Sequence, residues 1–382
     1  MQARAGAGIA AGDEGVDGFA EAASRAALGL GGGPCQVALV FASEANLDHV
    51  EEGLAAVHDR LRPDALVGCG AQGVVGSGRE LEDGGVAIWA ASLPDAEVQP
   101  FHVEVGRAGE ALVVAGVPDL HGVDAAILLA DPYSFPAEPL LGRLSDARPD
   151  LPVIGGMASA GPGSASLLFG DEAVSGGAVG IALRGADIRA CVSQGARPVG
   201  PEMTVTAGEG NVIEELASEP ALERLRRAIA ELEPDEQAKA AHGLLIGIVA
   251  GANKPDYESG DFLVRGIMDA DEENGSLSVG TQIRVGQTVR LQVRDAAAAH
   301  EDLVDALGRQ AESLGRPPAG ALLFTCNGRG SQMFGTPDHD ARAVDEAFSH
   351  APTGGFFCAG EFGPVGGRNF VHGFTATLAV FP

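Results

Sequence analysis

Cys326, Asn327, Gly328, Arg329 and Gly330 end an apolar run and open a loop ahead of a helix. The ends of strands in α/β sheets are where ligands usually sit. Glycines there allow close backbone approach, and Arg329 and Asn327 supply donors for a carboxylate or phosphate. Cys326 offers a thiol nucleophile if its environment favours the thiolate. The plainer reading of the same five residues is a tight turn with Arg329 solvated or salt-bridged.

Glu361, Arg368, Asn369 and His372 form a second group, set in the glycine-rich stretch Gly355–Phe381. A carboxylate in such an apolar stretch needs a partner. Arg368 or Arg329 could provide one. Alternatively, a ligand ammonium could satisfy Glu361 while an arginine takes the ligand carboxylate, an arrangement that suits an amino acid. His372 alone fits a hydrogen-bonded structural histidine as well as a base. Weaker candidates are Cys69, Gln72, Arg79 and Glu80 in the corresponding earlier loop, with Ser43, Glu44 and Asn46 at a strand exit. Arg265, Arg294 and Asp295 close later strands. Asp338, His339 and Asp340 resemble a metal set on paper, but three adjacent residues on a turn rarely converge on one ion. Gly155-Gly156 and Gly161–Gly163 contain neither GxGxxG nor a Walker lysine. The chain has no GxSxG elbow and no HExxH helix. No metal or cofactor is expected, and the motifs argue against a conventional enzyme.

The elements that would carry these residues recur. Aligning Gly360 with Gly70 brings Gly363 onto Gly73 and Gly366 onto Gly76. Before each glycine loop lie an apolar strand and an amphipathic helix, and after it another apolar strand. The first copy spans Val37–Ser43, a helix around Asn46–Leu61, Ala65–Gly78 and Gly85–Leu93. The last spans Ala321–Asn327, a helix around Asp340–His350, Gly355–Arg368 and Phe374–Phe381. A fainter copy lies in Ala125–Leu129, Pro139–Ala147, Val153–Gly163 and Ala178–Leu183. The pattern predicts an α/β fold with mixed sheets covered by helices, in two related halves built from repeated β-α-β-Gly loop-β units.

Residues 1–14 are expected to be a flexible lead-in, followed by a helix at Val16–Leu30. These fill a first segment, 1–35, ahead of an N-terminal domain at 36–200 and a C-terminal domain at 210–382. The breakers Pro201, Gly208 and Gly210 mark the boundary. Beyond it the apolar spacing predicts a helix over Val212–Glu233 and strands at Leu244–Val249, Phe262–Met268, Thr281–Val285 and Thr288–Val293. Gly286-Gln287 suits a hairpin turn between the last two.

Bulk properties narrow the partners. There are 53 acidic residues against 25 lysines and arginines, for a formal charge of −28. Such a surface repels phosphate backbones, so neither nucleic acid nor an anionic membrane is an expected partner. Apolar runs are strand-length, with no membrane span and no signal peptide expected. Five cysteines without a CxxC pair fit reduced thiols and a cytoplasmic location.

The motifs also resemble a known family. FASEANLD, LVGCGAQGVVGSGRELEDG and AIWAASLP in the first half, with DFLVRGI, CNGRGSQMFG and GFFCAGEFGPVGGRNFVHGFTATLAVF in the second, resemble FIST proteins, which pair N-terminal and C-terminal FIST domains. The resemblance covers nearly the whole chain from about Val37. It implies a sensory role: FIST domains are proposed to bind small ligands, amino acids among them, and often sit beside signalling output domains. Carried onto this chain, the ligand-binding candidates are Cys326, Asn327, Arg329, Glu361, Arg368, Asn369, His372, Arg265, Cys69 and Arg79. No kinase, chemotaxis, cyclase or F-box module is expected, so signalling would pass through a separate protein partner. The alternatives are an interaction scaffold without a small ligand, and a hydrolase or transferase using Cys326.

Overall fold

The computed structural model describes residues 2–12, 15–109, 111–161, 167–250, 257 and 259–382. Pro162 and Gly163 of the second glycine loop, and Lys254, lie outside them. The chain divides into two compact units. One comprises Met1–Val192, Leu303–Val371 and Thr375–Pro382; the other comprises Ser193–Asp302 and His372–Phe374.

Among the described residues, the first unit holds three mixed sheets, each built around one parallel pair. Val37–Ser43 runs beside Ala65–Ala71, Ala125–Ala130 beside Val153–Met157, and Gly320–Cys326 beside Thr353–Cys358. In each sheet a return strand lies antiparallel on the first member: Val86–Ser92, Ala178–Arg184 and Thr375–Phe381. The expected parallel crossovers and antiparallel returns are therefore present, in an α/β fold with mixed sheets and helices.

The glycine loops do something the pattern did not reveal. Each forms a short hairpin that pairs with another sheet's parallel strand. Val74–Gly76 joins Thr353–Cys358, placing Val74 opposite Phe356. Leu167–Phe169 joins Ala65–Ala71, placing Leu167 opposite Cys69. Glu361–Val365 joins Val153–Met157, placing Glu361 opposite Gly156. The three sheets are thus stitched in a ring, and residues almost three hundred apart in sequence become neighbours.

Side-chain alternation then sets the layers. Leu39, Phe41, Trp89, Leu129, Ile181, Phe324, Phe356 and Cys358 face one shared core. Their neighbours Ala38, Val40 and Ile88 face the helices Val16–Gly29 and Val50–Leu61. Leu323, Leu378 and Val380 face Leu303 and Leu307 of one helix and Val344 of another. Leu128 and Val153 face Leu141 of the helix Ala137–Ala147.

The N-terminus corrects the expected lead-in. Arg4–Ala10 is a strand, paired antiparallel with Val86–Ser92 from Arg4↔Ser92 to Ala10↔Val86. Its Gly6 and Gly8 lie so close to the helix Val16–Gly29 that a Cβ would collide with the Ala26 and Ala22 carbonyls. Alanine and glycine carry little β propensity, so this strand is held by packing and pairing rather than by local preference.

The second unit is an antiparallel sheet in the order Ala196–Glu209, Thr288–Arg294, Leu244–Val249, Phe262–Asp271, Ser276–Val279, Val212–Leu216 and Glu219–Pro220. Ala196–Glu209 also pairs with Val212–Leu216, so the sheet closes on itself. The strand Ala196–Glu209 absorbs Pro201 in a register shift between Val199 and Glu202, where Gly200 has φ 62°, and Gly208 in another shift against Val212–Leu216. The helix expected over Val212–Glu233 is a strand, a turn at Ala217-Ser218 with positive φ at both residues, and a helix at Ala221–Ala230. Thr281–Val285 is not a strand. Gly286 does turn the chain with φ 92°, but Thr288–Arg294 pairs with Ala196–Glu209 and Leu244–Val249.

Asn369 pins one exchanged hairpin. Its side-chain oxygen accepts from Val153 N and its amide donates to Leu151 O, both at 2.8 Å, while its backbone N–H donates to Ser145 Oγ at 2.8 Å. Asn369→Ala leaves two buried backbone groups unmet, so urea denaturation should show a loss of about 2–4 kcal/mol. Arg368 pairs at the surface with Asp146 at 2.8 Å, and Arg368→Ala should change stability by less than about 1 kcal/mol. Equal losses in the two variants would contradict this assignment.

Candidate functional site

The loop after Gly320–Cys326 carries a charged group into the interior. Arg329 is 1% exposed. Its Nε and Nη2 donate to Asp340 Oδ2 and Oδ1 at 2.6 and 2.9 Å, a bidentate pair. Asp340 opens the helix His339–Ala347, also accepts the Thr325 hydroxyl at 2.7 Å, and lies 2.9 Å from His339 Nδ1. The Arg329 guanidinium also stands 5.1 Å over the Phe334 ring, which stacks on His339. Burial by itself would raise the Asp340 pKa, but Arg329, His339 and Thr325 outweigh it and hold the carboxyl well below the usual range. Burial likewise opposes the charge on Arg329, and Asp340 more than restores it.

Glu361 reaches the same region on its exchanged hairpin. It is fully buried. One oxygen accepts from Thr375 N and Oγ1 at 3.2 and 2.6 Å. Burial pushes Glu361 up to about 8, against the Thr375 hydrogen bonds, the Arg329 charge and a hydrogen bond with Cys326. Of the two arginine partners considered for Glu361, Arg329 acts through its charge, while Arg368 pairs with Asp146. Asn327 continues the loop, its N–H donating to Cys358 O at 2.9 Å, and Gly328 N–H approaches Cys326 Sγ at 3.5 Å.

Three buried polar atoms here have no hydrogen-bond partner: Asn327 Oδ1, Arg329 Nη1 and Glu361 Oε1. Cys326, half-buried, stands among them, and the fully buried Cys358 lies opposite it in register. Burial raises the Cys358 and Cys69 thiols well above their ordinary pKa. The sequence candidates therefore separate. Cys326, Asn327, Arg329 and Glu361 come together; Cys69 lies in the shared core; Asn369 pins a hairpin; Arg368 and Arg79 are exposed. Arg265 and His372 are buried and belong to the second unit.

Sequence reasoning missed two members. Asp340, one of the adjacent Asp338, His339 and Asp340 that resemble a metal set, answers Arg329, while Asp338 accepts from Glu80 N at 2.8 Å. Thr375 carries no sequence signal beyond its place at the start of the last strand. Glu80, one of the weaker sequence candidates, is buried: one oxygen accepts from Ala341 N at 2.9 Å and the other has no hydrogen-bond partner. Burial, with Asp340, Glu82 and Asp338 nearby, pushes Glu80 up to about 8.

Comparisons with known proteins agree with the motifs. The FIST N domain matches residues 36–219 and the FIST C domain matches residues 221–364. The chain is 43% identical over 382 residues to an uncharacterized protein of Mycobacterium tuberculosis, covering 99% of both. It is 40% identical to an uncharacterized protein of Mycobacterium bovis, covering 99% of this chain and 98% of that one. The chain belongs to the FIST family, whose domains are associated with signal transduction and small-ligand sensing.

The two raised carboxyls predict an inverted pH response. Unfolded, both titrate near 4.5; folded, near 8. The native state therefore holds these protons more tightly, and their stabilising contribution declines as pH rises from about 4.5 to 8. Asp340 acts oppositely, its contribution being lost as pH falls through and below the ordinary carboxylate range. Thermal unfolding of Glu361→Gln, which mimics the protonated acid, should show a weaker decline between pH 5.5 and 8 than the parent. Parallel profiles would overturn the assignment.

Proposed function

We propose that this FIST-family chain is a small-ligand sensor that binds an amino acid or similar small metabolite and signals through a separate protein partner. The observation that carries this reading is the set of three buried, unmet polar atoms around Cys326. Leaving such groups unmet costs about 1–3 kcal/mol each, so a ligand that completes them gains both affinity and selectivity. An amino acid has the complementary groups: a carboxylate for Arg329 Nη1, and an ammonium for Glu361 Oε1 and Asn327 Oδ1. Arg329 is too deeply buried for a ligand to reach without opening of the loop 327–330. Gly328 and Gly330, the latter at φ 74°, give that loop its freedom. Binding would then shift the balance between loop states, which a partner could read.

An interaction scaffold is the second reading, favoured by one observation. The strand Ala111–Ala115, paired with Glu97–Ala108, exposes Leu112 and Val113 at 49% each at the end of its sheet. Exposed apolar edges are pairing sites for other chains.

A thermal-shift screen against amino acids, small carboxylates and nucleotides separates the two. Ligand at a hundredfold its dissociation constant should add about 2.7 kcal/mol. Asn327→Ala and Cys326→Ser should abolish the shift while remaining folded, since neither breaks the Arg329–Asp340 pair. A flat screen, with a protein partner captured equally by parent and variants, would favour the scaffold.

A further inference from the structure

Cys326 differs from the other cysteines in its surroundings. It is half-buried, whereas Cys35, Cys69, Cys191 and Cys358 are buried. Reactive cysteines sit in partly exposed, electropositive places, and buried ones are inert. The Cys326 sulfur accepts from Gly328 N at 3.5 Å, and the Arg329 charge acts on it. Arg329 commits Nε and Nη2 to Asp340, which leaves Nη1 as a buried donor with no acceptor. Glu361 adds little competing charge near neutrality, because burial pushes it up to about 8. A Cys326 thiolate is therefore stabilised by a guanidinium and a backbone amide.

The three unmet atoms around Cys326 also suit its first oxidation product. A sulfenic acid carries an O–H donor and an acceptor oxygen where a thiol offers only weak hydrogen bonding. Its oxygen can accept from Arg329 Nη1 and from a protonated Glu361 Oε1, and its hydrogen can go to Asn327 Oδ1. The neighbouring thiol does not consume this product. Cys358 lies opposite Cys326 in the parallel register, but burial holds it protonated, well above its ordinary pKa. Its sulfur packs toward Gly156, where an added Cβ would stand only 2.5 Å away. A sulfenic acid that no thiolate attacks persists.

We propose that Cys326 is a modification site for a small hydroperoxide, which converts its thiol to a sulfenic acid held by Arg329, Asn327 and Glu361. The thiolate attacks the terminal peroxide oxygen, and an S–O bond forms as the O–O bond breaks. Sulfur loses two electrons, the peroxide gains them, and the leaving hydroxide or alkoxide takes a proton from water. The oxidant needs to reach only half-buried Cys326, so the loop 327–330 can stay closed. The modification uses the same atoms as the sensor reading but not its ligand, so a flat metabolite screen leaves it standing.

Hydrogen peroxide added to the reduced full chain at pH 7 tests it, with dimedone to trap sulfenic acid and peptide mass mapping to locate it. The expected result is one oxygen gained, at Cys326, at a rate about tenfold or more above that of glutathione. Cys326→Ser should remove the trapped product, and Cys358→Ser should leave it unchanged. Asn327→Ala keeps the Arg329–Asp340 pair and should shorten the lifetime of the untrapped sulfenic acid by about threefold or more. Arg329→Met should slow the oxidation, and if that variant fails to fold the Asn327→Ala lifetime decides. Oxidation no faster than that of glutathione overturns the proposal. So does an unchanged lifetime in Asn327→Ala, or a Cys326–Cys358 disulfide as the main product.

Discussion

An arginine that is 1% exposed must have its charge answered, and the answer is Asp340. Taking both groups from water costs several kcal/mol per ion, and removing one partner costs about 3–5 kcal/mol. The bidentate contact therefore ties the loop after Gly320–Cys326 to the first turn of the helix His339–Ala347. Thr325 and His339 complete the Asp340 shell, and Phe334 covers the guanidinium. With the loop fixed in this way, Asn327, Cys326 and one face of Arg329 are presented to the interior instead of to water.

What they face depends on the exchange of hairpins. Glu361 belongs to a hairpin that pairs with Val153–Met157, while Thr375, its donor, begins the return strand of another sheet. Glu80 likewise sits on a hairpin exchanged onto Thr353–Cys358 and accepts from the helix that carries Asp340. These two exchanges each bring a carboxyl into a neighbouring sheet's territory, where burial raises its pKa. The ring of sheets supplies rigidity around groups whose hydrogen bonds are incomplete, a combination that suits a binding site better than a purely structural core.

The parallel pairs, their crossover helices and the return strands were legible because long apolar runs and helical spacing are local signals. Val37–Ser43 has the same bounds in sequence and structure. The destination of the hairpins was not legible, since glycine spacing marks a turn without naming the strand it will join. Arg4–Ala10 escaped notice because its alanines and glycines look like a linker until a helix packs on them. Val212–Leu216 shows the opposite error: an apolar stripe that fitted a helix is divided by the positive-φ turn at Ala217-Ser218. In the site, Cys326, Asn327, Arg329 and Glu361 stood out by residue type against glycine-rich loops. Asp340 and Thr375 did not, because their roles arise from tertiary contact alone.

The central physical claim is that Arg329 and Asp340 act as one unit on which the loop depends. A double-mutant cycle with Arg329→Met, Asp340→Leu and the combined variant, followed by urea denaturation, measures that coupling directly. The account predicts that each single substitution costs about 3–5 kcal/mol and that the double variant recovers at least about 2 kcal/mol of their sum. Additive losses would contradict it, and the loop would then be held by packing and not by its buried charge.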